Sequence, residues 1–178
     1  ARPAHSQSSA AVRPGFELLV PSGTVAPTGA RQGDVRRANI TAVQLSYGLR
    51  PDLVVTSTTG WARATPVGLG SEAKLDLFSY DVGLEYRVPR RGADRRINFK
   101  PFTGAGLGAR THNYRHVNVA TTHDVATYAS VGGELGLSRV RVRLELRDYL
   151  TWIAPPGGTG TARQNDVALL AGLRIALR

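Results

Sequence analysis

Phe78-Ser79-Tyr80-Asp81-Val82-Gly83-Leu84-Glu85-Tyr86-Arg87-Val88 is the stretch on which the fold turns. Phe78, Tyr80, Val82, Leu84, Tyr86 and Val88 are large and apolar, and the residues between them are small or charged. Successive side chains of a strand point to opposite faces, so the segment has one oily side and one polar side. A helix, turning about 100° per residue, would scatter both classes round its cylinder. The segment reads as a strand.

The same period recurs on either side. Val167, Leu169, Ala171, Leu173, Ile175 and Leu177 alternate with smaller or charged residues, as do Val140, Val142, Leu144 and Leu146. Segments 129–137 and 43–49 repeat the pattern, and fainter versions cover 15–24, 53–61 and 101–110. Eight strands result, each extensible to the roughly 9–11 residues a tilted strand needs to cross a bilayer.

The connections alternate between short and long. Arg50-Pro51-Asp52 and Ser138-Arg139 are tight turns, and 89–97 is a compact basic segment holding Arg90, Arg91, Arg95 and Arg96. Segments 27–37, 62–73, 112–123 and 154–165 are longer and polar. Short turns at one end and long loops at the other describe an up-and-down sheet with a functional end. Eight such strands lose their edges by closing on themselves. The expected fold is therefore all-β, an eight-stranded antiparallel up-and-down transmembrane β-barrel over 14–178. Residues 1–13 show no periodicity and read as an N-terminal arm or signal-region remnant. The chain has no methionine, so processing of a secretory precursor is expected.

Composition narrows the classes. The 178 residues are 42% hydrophobic and 20% charged, which is not the make-up of a disordered chain. Absence of cysteine removes disulfides, thiolate zinc sites and cysteine nucleophiles together. No stretch approaches the roughly 18 apolar residues of a membrane helix, which excludes a helical membrane protein but not a barrel. Lys and Arg number 23 against 13 Asp and Glu, a net charge of +10. Most arginines are isolated or alternate with apolar residues, which argues against a nucleic-acid surface.

Alternation alone leaves open which face is outside, since a soluble lipocalin-like barrel turns its oily face inward. Three features favour a membrane barrel. The polar face mixes glycines with Glu17, Asp81, Glu85, Arg110, Glu134, Arg141, Arg143, Glu145, Arg147 and Arg174, a set suited to a narrow, ion-paired lumen. The aromatics sort by level: Phe16, Tyr47, Tyr86, Phe99 and Phe102 near the short turns. Trp61, Phe78, Tyr80, Tyr128, Tyr149 and Trp152 fall toward the long loops, completing two girdles. The apolar face between them carries one charge, Asp148, which sits near the upper rim unless a bulge turns it inward.

The segments 101–110, 131–137 and 143–150 give the chain a strand texture that resembles the OmpA/OmpX-like eight-stranded outer-membrane β-barrel proteins. The resemblance, running from about Gly15 to Arg178, implies a bacterial outer-membrane location and a structural or interaction role. That role covers envelope stabilisation, adhesion or assembly, with a plugged polar lumen. It implies outer-membrane lipid and lipopolysaccharide as partners, together with a homo-oligomer or larger envelope assembly, and no nucleic acid. Arg31, Arg36, Arg37, Arg63, Arg115 and Arg163 would meet the phosphates of that lipid.

Catalytic constellations are thin. His112, His116 and His123 fall in or beside one loop with no compact His-Ser motif, so no catalytic residue, no metal and no cofactor is expected. Three other readings remain in view: a small pore or transporter for hydrophobic molecules, a lipid A-modifying enzyme with a Ser-His pair at the membrane-facing upper rim, and a soluble lipocalin-like carrier.

Overall fold

A computed structural model describes residues 15–28, 37–65, 74–89, 98–116, 121–137, 139–153 and 162–177. The arm 1–13, Arg31, Arg36, Arg90, Arg91, Arg95 and Arg96 lie outside the described residues. Eight strands run in chain order: β1 (Phe16–Thr28), β2 (Ala38–Gly48), β3 (Leu53–Ala64), β4 (Lys74–Arg87), β5 (Asn98–Arg115), β6 (Thr122–Leu137), β7 (Val140–Ile153) and β8 (Ala162–Ala176). Each pairs antiparallel with its sequence neighbours, and β8 pairs with β1 to close the barrel. Stepping across the pairs from Glu17 through Ser46, Thr56, Gly83, Gly106, Tyr128, Tyr149 and Asp166 returns to β1 at Pro27. That offset of ten residues (17 to 27) sets the stagger that strand tilt requires.

The strands extend beyond their apolar stretches. β3 continues to Ala64, β5 runs to Arg115, and β6 and β8 begin at Thr122 and Ala162, all within segments the sequence reads as loops, and β4 begins at Lys74, directly after one of them. The ladder joins backbone groups and does not depend on apolar side chains. Above the membrane the alternation of hydrophobicity fades while the pairing persists.

Outward-facing residues are apolar and uncovered. Val82 is 60% exposed and Leu107 66%, and Val43, Leu45, Leu84, Val131, Val142, Leu144, Leu173 and Ile175 share that wall. Inward-facing Gln44, Asp81, Glu85, Arg110, Glu134, Arg143, Glu145, Arg147 and Arg174 are buried. This is the reverse of a soluble carrier, so the lipocalin-like reading is overturned. With every strand paired on both sides, the wall leaves no backbone edge for lipid to meet.

Phe16, Tyr47, Tyr86 and Phe99 project from the short-turn end of the wall, and Trp61, Tyr80 and Trp152 from the long-loop end. Phe78 pairs with Trp61 at the same level. Phe102, Tyr128 and Tyr149 depart from the girdle expectation: all three are buried and face the lumen. Their strand parity is the cause. Phe102 shares the face of Gly104 and Arg110, Tyr128 that of Ser130 and Glu134, and Tyr149 that of Arg143, Glu145 and Arg147. A Cβ at Gly83 or Gly106 would collide with the Tyr128 ring, and one at Gly132 with the Phe102 ring. Glycines opposite large lumen rings are thus a fit of volumes. Asp148 faces outward, with the β6–β7 and β7–β8 registers unbroken through it, so no bulge turns it in.

Candidate functional site: lumen network and outer rim

Two faces of the wall collect polar side chains. Inside, five carboxylates and five guanidiniums form one connected set: Glu17, Asp81, Glu85, Glu134 and Glu145 with Arg87, Arg141, Arg143, Arg147 and Arg174. Arg143, from β7, is the hub. Its guanidinium lies 2.6 Å from Glu85 of β4, 2.9 Å from Glu134 of β6 and 2.8 Å from Glu145 of its own strand. Arg174 reaches Glu17, Glu134 and Glu85 at 3.0, 2.7 and 3.5 Å. Arg147 joins Glu145 at 2.7 Å to Asp81 at 3.3 Å, and the Tyr149 hydroxyl donates to Asp81 at 2.9 Å. Links from β4 to β1, β7 and β8 mean that the set braces strands across the bore.

Inward aromatics complete the layer. Arg143 sits 3.5 Å above the Phe102 ring, Arg147 4.5 Å above Tyr128, and Arg110 3.7 Å above Tyr149. Such stacking gives a buried guanidinium a partner on the face that carries no N–H. Arg110 holds no ion pair among the described residues; its environment is the Tyr149 ring. Sequence reasoning missed Arg87, which ties Glu17 at 2.6 Å to Glu85 at 2.7 Å. Its parity with Glu85 was the available signal.

Toward the long loops the lumen turns apolar. Val25, Ala38, Ile40, Ala62, Ala64, Leu75, Ala168 and Leu170 cluster there. Val25, Pro27, Ala38, Ala64, Leu75, Leu77 and Tyr114 line a cavity at the mouth, with His112, Gln164 and Asp166 as its polar members. His112 bonds Asp124 at 3.1 Å, and Gln164 donates to Asp166 at 2.9 Å.

Strand alternation separates the histidines. His112 faces inward, while His123 faces outward and shares a 2.9 Å hydrogen bond with Thr111 directly across the β5–β6 ladder. His116 is exposed, with φ 63°. No group of metal-binding side chains forms among the described residues. The Thr111–His123 pair lies at the membrane-facing upper rim, where a lipid-modifying enzyme needs its nucleophile and base. Among the described residues no carboxylate bonds the other nitrogen of His123.

Outside, above the Trp61–Phe78 pair, Asp76 is fully buried although it projects from the wall. Arg63 donates to it from Nε at 2.7 Å and Nη2 at 3.3 Å, Trp61 Nε1 donates at 3.3 Å, and Arg115 Nε lies 2.6 Å from Oδ2. Asp76 stands two residues beyond the girdle and so outside the membrane span. The hydrogen bond from Arg63, aided by the Arg115 charge, holds its carboxyl below the ordinary range despite burial. This tie is complete at neutral and mildly acid pH and is lost only as pH falls through the depressed value.

No family model matches the sequence, and no curated protein does. Among solved structures, the chain is similar to Neisserial surface protein A, with 13% identity and a TM-score of 0.66 over 90% of this chain and 96% of that one. It is similar to OprG from Pseudomonas aeruginosa, with 15% identity and a TM-score of 0.55 over 93% of each chain. The outer membrane enzyme PagL follows, with 13% identity and a TM-score of 0.50 over 89% of this chain and 98% of that one. What is shared at these identities is the fold: a closed eight-stranded transmembrane barrel of the bacterial outer-membrane type.

Proposed function

We propose that the protein sits in the bacterial outer membrane and has a structural or interaction role (envelope stabilisation, adhesion or assembly) with a plugged, non-conducting lumen. The ten-member network carries this reading. Five carboxylates and five guanidiniums, balanced in charge, with Arg143 on the Phe102 ring, Arg147 on Tyr128 and the neighbouring Arg110 on Tyr149, occupy the bore of a barrel that side chains suffice to fill. Its partners in this reading are outer-membrane lipid and lipopolysaccharide, and copies of itself or other envelope proteins. In this reading it acts without catalysis.

Planar-bilayer recording of the detergent-extracted chain tests the plug. Silence in concentrated KCl is expected; a steady unitary conductance from the wild type would overturn it. The apolar cavity at the mouth favours a second reading, uptake of small hydrophobic molecules. Tyr149, paired across the ladder with the lining residue Asp166, carries the Arg110 and Arg147 guanidiniums against its ring, which supports the plug over a path. Vesicles carrying the barrel should therefore take up a fluorescent apolar probe no faster than empty ones.

A further inference from the structure

We infer that the rim of β3, β4 and β5 is a docking site for a phosphate of an outer-leaflet glycolipid, built from Arg63 and Arg115 and held in shape by Asp76. The inference rests on the outer-membrane placement proposed above, and adds a specific site to it.

A charged residue on the wall of a barrel ordinarily extends into solvent. Asp76 does the opposite: its side chain is wholly covered, while those of Arg63 and Arg115 remain 47% and 52% exposed. The carboxylate therefore lies beneath two guanidiniums. Arg63 donates to Asp76 through Nε and Nη2, leaving its Nη1 without a bond to the carboxylate, and Arg115 meets Asp76 as an ion pair with Nε 2.6 Å from Oδ2. Arg63 also lies over the Trp61 ring, 5.1 Å from its centroid, which ties the cluster to the girdle. Lys74 pairs with Arg115 across the ladder, so among the described residues this rim brings together three cations and one carboxylate. Guanidinium forks match phosphate oxygens bidentately, and fixing them beforehand removes most of the side-chain entropy that such a contact costs.

Position selects the source of the phosphate. The cluster begins two pairs beyond the apolar Trp61–Phe78 pair, at the long-loop end. In barrels of this type the long loops are extracellular, so that level meets outer-leaflet headgroups. Asp76 is a positioning residue: it binds no lipid itself.

The test uses the full chain folded in detergent, titrated with mixed micelles of bisphosphorylated lipid A and read by Trp fluorescence. Dephosphorylated lipid A and phosphatidylglycerol serve as the other lipid arms. Phosphorylated lipid A should bind about tenfold more tightly than either, and Arg63→Ala/Arg115→Ala should lose about that factor. Arg139→Ala, at the opposite end of the barrel, should change nothing. Asp76→Asn separates positioning from bulk attraction. It makes the rim more positive, so simple charge attraction predicts tighter binding, whereas loose forks predict weaker binding. Heat-dependent gel migration confirms that each variant is folded; should Asp76→Asn fail to fold, the arginine pair and the lipid arms still decide. Equal affinity for phosphatidylglycerol, an unaffected double variant or an equally impaired Arg139→Ala would overturn the proposed site, and tighter binding by Asp76→Asn would overturn the role of Asp76. The gel and the bilayer recording report separately on the barrel and its plug.

Discussion

Replacing Arg143 by alanine removes the hub of the lumen and should destabilise the barrel by about 3 kcal/mol. Breaking a buried ion pair from one side costs about 3–5 kcal/mol, because the abandoned charge stays buried. Arg143 touches three carboxylates, yet each keeps another guanidinium: Glu85 has Arg87 at 2.7 Å, Glu134 has Arg174 at 2.7 Å, and Glu145 has Arg147 at 2.7 Å. That redundancy places the cost at the lower end of the range. Stacking on Phe102 is lost as well, which keeps it from falling further. Arg143→Lys retains the charge but offers a single compact donor group to three acceptors, so its loss should be intermediate. Arg50→Ala is the control, since its pair with Asp52 spans 3.5 Å at a 65% exposed side chain and should be worth less than about 0.5 kcal/mol. Urea unfolding in lipid vesicles, followed through Trp61 and Trp152, measures all three. A loss below about 1 kcal/mol for Arg143→Ala would refute the argument that the lumen charges brace the strands.

Two further substitutions probe the wall. Asp148→Leu removes a carboxylate from the lipid face, between Leu146 and Leu150 of β7, and should stabilise the barrel by about 1 kcal/mol in the same vesicle assay; a loss of stability would mean that Asp148 has a partner. Gly132→Ala places a methyl group against the Leu144 backbone oxygen and the Phe102 ring and should cost about 1–3 kcal/mol, while a neutral result would show that both the β6–β7 backbone and the ring have room to move.

The fold was legible because a membrane barrel imposes its period on every strand: one run, 78–88, fixed the alternation, and turn lengths fixed the topology. Strand limits were less legible. Asp76, Asn113 and Arg115 continue the ladder in water, where nothing selects for apolar alternation. Phe102, Tyr128 and Tyr149 were assigned by height along the strand and not by face. Parity with Arg110, Glu134 and Arg147 would have turned all three inward, because aromatic character does not choose a side while a two-residue period does. At the rim, Arg63 and Arg115 were legible as cations facing lipid phosphates, but Asp76 beneath them was not. Arg63, Asp76 and Arg115 come from three strands, and only the register places the carboxylate beneath both guanidiniums.

The same wall therefore performs two tasks. Its inner face holds a ten-member network whose charges balance; its outer rim, among the described residues, leaves an excess of positive charge at the level of the headgroups. Alternation lets one strand serve both, as β4 does with Glu85 inside and Asp76 outside.

Gel migration with and without boiling, beside a solubility trial without detergent, tests most directly that the exposed apolar wall faces lipid. A closed membrane barrel should require detergent and change its mobility on boiling, because the paired strands resist the gel detergent until heated. A chain soluble without detergent, with one mobility before and after boiling, would contradict the account.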